Sequence, residues 1–431
     1  MIKQFLKQHC YPLVWVKRKI QFGIVDLRHR VNSWIVARRI EQSAACLKGR
    51  DKYRVAFLIY NAGEFQFEGL FRLMLKDDAF EPFVVVMPER IAGVENEKRI
   101  AASVEILRRN YGDKIHNPLL EEAYQRVDDK CDLVFTSNPY DHNTDKAYRI
   151  VHLSKLGVPV VMSNYFYYHG CVYSEESLAA KKYLAYAWRY YAENEKWKAM
   201  LDAHQPELRR RNRVRVSGSS KVDLLTEVNP VPHERKRILL CPHHSLSEEA
   251  LPNYGNFHRY ADFMLTLPKR YPQIDWIFRP HPLLAATLES RGYWPEGAWN
   301  QYLEKLLANS NVSYQPYGPY WDMFINSDGI IQDCGSFIVE YMFSGHPQCY
   351  VIKSMEHMRK QLSDWGLEIL SHTEVAESEE RIIDYVEKVV LAGKDDAKAR
   401  RDRFVHDWLL PNYPHASEWI LADLKKDLEI I

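Results

Sequence analysis

Asp275-Trp276-Ile277-Phe278-Arg279-Pro280-His281-Pro282 decides the fold of this chain: an apolar run stops abruptly at a proline-locked turn that carries a cation and an imidazole. The same design recurs where Gly329-Ile330-Ile331-Gln332 leads into Asp333-Cys334-Gly335-Ser336-Phe337-Ile338-Val339-Glu340. Each short apolar run reads as a strand buried on both faces. Each polar string therefore sits just beyond a strand's carboxyl end, where open α/β sheets present their ligands. Pro280 and Pro282 stiffen the first loop and remove backbone donors, so Arg279 and His281 must bind through their side chains. In the second string Gly335 permits close backbone approach, and Ser336 is placed to cap a helix while offering its hydroxyl. Glu340 follows four residues later on the same face. Together the two loops describe a pocket for an activated nucleotide, with the diphosphate on the cationic and Gly-Ser groups and the ribose on the acid.

Strands alternate with helices on either side of these strings. Residues 53–60, 83–87, 131–135 and 158–162 read as strands, with helices over 65–76 and about 95–110 between them. A polar, proline-bearing stretch from Glu227 to Lys236 separates this series from a second one. The second has strands at 238–241, 275–278, 329–332 and 348–352 and helices over 257–270 and 301–308. The pattern predicts an α/β fold of GT-B type, two Rossmann-like domains facing a cleft. The expected boundaries are 51–230 for an acceptor domain, 231–400 for a nucleotide-donor domain, and 401–431 for C-terminal helices that pack back on the first domain. Trp188, Tyr190, Tyr191 and Trp197 read as packing residues.

The first 50 residues differ from the rest. They hold eleven Lys and Arg against two acids, Asp26 and Glu41, so a chain of net charge +1 carries about −8 over its other 381 residues. Phe5, Leu6, Leu13, Val14, Ile20, Ile24, Leu27, Val31, Ile35 and Val36 recur at roughly helical spacing among these cations. At about 1 kcal/mol per basic residue near an anionic surface, such an extension suits peripheral membrane attachment; a helix packed on its own domain is the alternative. No motif of a nucleic-acid fold accompanies the charge, so nucleic acid is not an expected partner. No apolar stretch approaches the roughly 18 residues of a spanning helix, and no signal core is seen. Seven scattered cysteines form no CxxC pair, which suits free thiols in a reducing cytosol. The expected location is cytoplasmic, on the inner face of the cell membrane.

Two further loops offer chemistry. Asn164-Tyr165-Phe166-Tyr167-Tyr168-His169-Gly170 follows a first-domain strand, which aims His169 at the cleft as a candidate general base. Cys241-Pro242-His243-His244 follows the first strand of the second domain and reads as pocket lining. Adjacent histidines are poorly placed to share one metal, and HExxH and DxD strings are absent, so no metal or other cofactor is expected.

The ordered strings resemble the CDP-glycerol:poly(glycerophosphate) glycerophosphotransferase family of teichoic-acid and capsule synthesis. The resemblance rests on His169-Gly170, on Gly218-Ser219-Ser220-Lys221-Val222-Asp223, on Arg279 to Pro282, and on Asp333, Ser336 and Glu340. It implies a CDP-linked polyol donor, a GT-B fold, no obligatory metal and a peripheral membrane location. It makes His169 the base on the acceptor hydroxyl, gives His281 and Ser336 to the donor phosphates, and gives Glu340 to the ribose. Two features depart from the family pattern: Cys171-Val172-Tyr173-Ser174 stands where Thr-Pro-Leu-Lys is usual, and Cys334-Gly335 replaces Tyr-Ser. A glycosyltransferase using a nucleotide sugar, and a non-catalytic nucleotide-binding member of the fold, are the alternative readings.

Overall fold

The computed structural model describes residues 31–88, 96–247, 251–316 and 318–430. The first sheet has seven parallel strands, β1 (Tyr53–Ile59), β2 (Phe80–Val86), β3 (Ile115–His116), β4 (Leu133–Thr136), β5 (Val160–Met162), β6 (Arg189–Ala192) and β7 (Val214–Val216). Their spatial order is β3-β2-β1-β4-β5-β6-β7. The second sheet has six, β8 (Lys236–Cys241), β9 (Ile274–Phe278), β10 (Val312–Tyr314), β11 (Gly329–Gln332), β12 (Gln348–Val351) and β13 (Glu374–Ala376), in the order β10-β9-β8-β11-β12-β13. All the pairings are parallel, and every residue of β4, β5, β11 and β12 is buried. That is why these strands read as continuous apolar runs.

Strand order reverses direction between β1 and β4 in the first lobe and between β8 and β11 in the second. Such switch points open a crevice at the strands' carboxyl ends. In the second lobe that crevice receives the loops after β8 and β11, and the loop after β9 joins them. Ladder bonding continues past the strand ends, with Arg279 N donating to Leu240 O and His281 N to Pro242 O, both at 2.9 Å. His281 is thereby held beside His243.

Two helical segments cover the first lobe from outside its own α/β series. The helix over 31–47 buries Val36, Ile40, Ala44 and Leu47 in the first-lobe core, and Arg213 ties it down through Ala37 O and Glu41. This part of the basic extension is thus packed on its own domain; the remainder of the amphipathic reading falls on residues 1–30, outside the described residues. The C-terminal segment crosses between lobes. Phe404, Val405 and Leu409 belong to a core shared with the second lobe, whereas Ile420, Leu424 and Leu428 of the helix Ala416–Leu428 join the first-lobe core. Asp223 fixes the returning helix by accepting from Ala416 N at 3.2 Å and Ser417 N at 2.6 Å. Gly218 is needed at the same junction: it has φ +81°, and a Cβ there would lie 2.1 Å from Pro411 O. The Gly-x-x-x-x-Asp string therefore has a structural use here.

The structure adds elements that sequence pattern did not give. β3, β7, β10 and β13 are two or three residues long, too short to show a period. β6 absorbs Tyr190 and Tyr191, whose rings are buried with Trp188 and Trp197. The tail consists of Lys398–Phe404, a wider turn over Val405–Leu409, and Ala416–Leu428 after a break.

Candidate functional site

A cleft of about 490 Å³ runs between the lobes. His169, Phe166, Tyr140, Tyr165 and Tyr173 line it from the first lobe; His243, His244, His281, Cys334, Gly335, Ser336 and Arg291 line it from the second. Two histidines predicted from separate halves of the sequence thus share one crevice.

His169 is 7% exposed. Its Nδ1 lies 3.4 Å from Tyr167 O and its Nε2 3.2 Å from the Tyr254 hydroxyl. The carbonyl can only accept, so Nδ1 carries the proton and the Nε2 lone pair faces Tyr254 across the lobe boundary. Burial pushes the imidazole down to about 4, so it is neutral at physiological pH, the form a proton acceptor needs. The loop bearing it is held from below and from across the cleft. Glu193 Oε1 accepts from Tyr168 N at 2.9 Å and from Asn164 Nδ2 at 3.0 Å, and burial pushes that carboxyl up to about 7. From the second lobe Ser363 N donates to Gly170 O at 2.9 Å, and Cys171 pairs with Leu362 in an isolated antiparallel bridge.

Three glycines make this apposition possible. Gly170 has φ +70°, and a Cβ there would sit 2.2 Å from Gly366 N. Gly366 in turn meets Gly170 O, at 2.6 Å from its own would-be Cβ. Gly335 faces His169 so closely that a Cβ would be 2.6 Å from Nε2. The sequence suggested that Gly335 admits a phosphate; in the structure it admits the histidine of the other lobe.

The second-lobe wall is a trio of imidazoles. Ring centroids are 4.0 Å apart for His244 and His281, 4.6 Å for His243 and His244, and 4.8 Å for His243 and His281. Among the described residues this is the group of three whose ligand atoms, all within 4.8 Å of one another, could hold a metal ion. Their hydrogen bonds favour a different use. Leu283 N donates to His281 Nδ1 at 3.1 Å, and Ser245 N donates to His243 Nδ1 at 3.3 Å. Ser245 Oγ, which accepts from Tyr254 N, also lies 2.8 Å from His243 Nδ1. With Nδ1 accepting, each ring carries its proton on Nε2, and both present an N–H donor rather than a metal-ready lone pair. Burial holds His243 and His281 well below the ordinary histidine range and His244 down to about 4. Neutral N–H donors beside the Ser336 hydroxyl suit an anion.

Other residues singled out from the sequence stand behind the cleft. Arg279 was expected on a phosphate; its guanidinium donates to Gly318 O at 2.5 Å and Gln315 O at 3.2 Å and faces the Tyr320 ring, because burial requires its donors to be matched locally. Asp333 accepts from His243 N at 2.6 Å and from Asn256 N, so it shapes the His243 loop; burial pushes it up to about 7. Glu340 is buried, accepts from the Tyr320 hydroxyl and lies in the field of Lys221, whose Nζ donates to that hydroxyl at 2.6 Å and to Gly63 O at 2.7 Å. Ser336 has helical backbone angles and makes no cap bond; its Oγ lies 3.4 Å from Cys334 Sγ. The helix it opens, Phe337–Glu340, is a single turn.

Sequence reasoning missed Tyr254, Gly366 and Tyr320, and the contact that Lys221 makes with Tyr320. None carries a local signal, since Tyr254 meets His169, Gly366 meets Gly170 and Lys221 meets Tyr320 across 85 or more residues.

Solved structures resemble this chain throughout. UDP-GlcNAc 2-epimerase from Neisseria meningitidis bound to UDP-GlcNAc matches with a TM-score of 0.54 at 15% identity, covering 86% of this chain and 100% of that one. MnaA of S. aureus in complex with UDP gives 0.55 at 13%, covering 88% and 98%. The wall teichoic acid polymerase TagF gives 0.54 at 14%, covering 95% and 98%. The fold is GT-B. No protein family matches the chain by sequence, and no curated protein does. The similar structures are those of enzymes and include forms bound to UDP or UDP-GlcNAc. Among the described residues no helix is long and apolar enough to cross a membrane.

Proposed function

We propose that the chain transfers a polyol phosphate, glycerol phosphate or ribitol phosphate, from a CDP-linked donor to a hydroxyl of a cell-surface glycan or lipid-linked acceptor. The observation that carries this reading is the opposition of His169, with its Nε2 lone pair, to the Nε2–H donors of His243 and His281 across one cleft. His169 takes the proton of the acceptor hydroxyl. The freed oxygen attacks the β-phosphorus, the bond from that phosphorus to the bridging oxygen breaks, and CMP leaves with the charge met by His281, His243 and the Ser336 hydroxyl. Neutral N–H donors can take the place of a metal ion on the diphosphate. The TagF likeness, including a TagF structure soaked with CDPG, supports a CDP-linked donor. Glu340 reaches a ribose only after Tyr320 gives way.

A second reading has its own support: UDP-GlcNAc 2-epimerases share the fold at similar TM-scores, and a nucleotide-sugar glycosyltransferase would use the same donor wall. Incubation with a panel of CDP- and UDP-linked donors and acceptors separates them. Release of CMP with a new phosphodiester is expected. Release of CDP or UDP would make the chain a glycosyltransferase, and altered sugar stereochemistry without transfer would make it an epimerase.

Attachment to an anionic membrane surface belongs to the same proposal. Val31, Trp34 and Ile35 stay exposed on the first described helix beside Arg38, whose guanidinium lies 4.9 Å from the Trp34 ring centroid. Deleting residues 1–30, which spares the core helix over 31–47, should reduce cosedimentation with anionic liposomes; unchanged partitioning would remove this element.

A further inference from the structure

The geometry points to a neutral sugar ring, and not a polyanionic chain, as the carrier of the attacking hydroxyl, an inference that rests on the transfer reading above. The first-lobe wall is a row of rings leading to the base. Centroids are 5.8 Å apart for Tyr140 and Tyr165, 4.8 Å for Tyr165 and Phe166, and 5.5 Å for Phe166 and His169, all edge to face. The Tyr140 and Tyr165 hydroxyls are 3.1 Å apart, and Tyr173 adds a third ring and hydroxyl to the lining. Burial raises Tyr165 and Tyr173 above the ordinary phenol range, so both stay neutral. Apolar ring faces with neutral hydroxyls at their edges match a pyranose, which offers C–H faces and hydroxyl rims.

A polyol-phosphate chain carries a negative charge on every repeat and needs lysine or arginine along its track. Among the described residues that line the cleft, none from the first lobe is a lysine or arginine; the one arginine, Arg291, stands on the second lobe. The first-lobe wall therefore offers a polyanion no cation at the position next to the base. It suits transfer onto a sugar hydroxyl better than extension of an existing polyol-phosphate chain.

The test titrates the full chain, in the presence of CMP, with methyl glycosides of hexoses and N-acetylhexosamines and with a synthetic glycerol phosphate oligomer, read by calorimetry or saturation-transfer NMR. At least one neutral glycoside should bind saturably. Tyr165→Ala should weaken it about tenfold, the scale of one lost ring contact, whereas Tyr165→Phe keeps the ring and should cost less. CMP affinity measured on each variant reports that it is folded, and Tyr140→Ala gives a second reading of the wall. Tighter binding of the phosphate oligomer than of every glycoside would overturn the inference, as would CMP binding with no glycoside binding. Glycoside binding by a protein that binds no cytidine nucleotide would instead overturn the transfer reading.

Discussion

The two walls of the cleft are built on opposite principles. The second-lobe wall consists of strand-end loops at a switch point, and its imidazoles are oriented by backbone N–H groups two residues further along the same loop. It is rigid and locally encoded. The first-lobe wall combines the loop after β5 with Tyr140 from the loop after β4, and His169 is set against the other lobe by contacts at Tyr254, Gly335, Leu362, Ser363 and Gly366. The donor wall is therefore complete within its own lobe, whereas the acceptor wall exists only when the lobes meet.

The contrast predicts how each wall fails. The largest effect belongs to His169→Ala, which should lower turnover by about 10²–10⁴ while leaving CMP affinity nearly unchanged; equal loss of both in kinetics and calorimetry would move His169 to the donor wall. Next is Gly170→Ala, which combines a positive φ with a Cβ 2.2 Å from Gly366 N. Backbone cannot yield as a flexible side chain does, so we expect a loss of about 2–4 kcal/mol in denaturant melts with turnover falling in parallel. Turnover kept at wild-type level would show that the lobes need not meet there. His281→Ala and His243→Ala should each weaken CDP binding about 10–100-fold, the range for one hydrogen bond to a charged group, and leave the first-lobe wall intact. If chelation by EDTA abolishes turnover and a divalent ion restores it, the histidine trio is a metal site instead; the N–H assignment predicts activity within about twofold of the untreated enzyme, for want of a free lone pair on His243 and His281.

Proton linkage gives the smallest and broadest signature. His169 and His244 lie at about 4, with His243 and His281 held well below the ordinary value. The unfolded chain binds these protons first, so folding stability is lost as pH falls from about 6.5 towards 4. Asp333 and Glu193, raised to about 7, act in the opposite sense: their ionisation costs stability as pH rises from about 4 to 7. His116, His346 and His372 are also lowered, and Asp141, Asp223 and Glu340 are also raised. Among the described residues seven histidines thus stand against five carboxyls, and thermal melts should show a net gain in stability from about pH 4 to 6.5. In kinetics the acid limb of kcat/KM should fall near pH 4. A limb near 6.5 would mean that the imidazole is solvated in the working enzyme.

Much of the fold was legible because its signals are local. The helix Phe257–Arg270 and the strands β8, β9, β11 and β12 follow from apolar runs and their punctuation. The loops carrying His169, His243, His281 and Ser336 were placed on the cleft for the same reason: each directly follows a buried strand. Arg279 and Glu340 show where that logic stops. Residue type and position suggest contact with a ligand, yet both groups are consumed by neighbours, Arg279 by the carbonyls of Gln315 and Gly318, and Glu340 by Tyr320.

What the chain's sequence determined alone is the alternation of strands and helices, the reversal into two lobes, and the set of loops that meet ligands, because periodicity and turn chemistry act over a few residues. Only the tertiary structure decided which side chains of those loops reach the cleft, which ring nitrogen carries each proton, and that Tyr140 from another loop joins the rings beside the base. Those outcomes depend on burial and on partners far away in sequence, such as Tyr254 for His169 and Gly366 for Gly170. A buried polar group must take whatever partner the assembled fold brings to it.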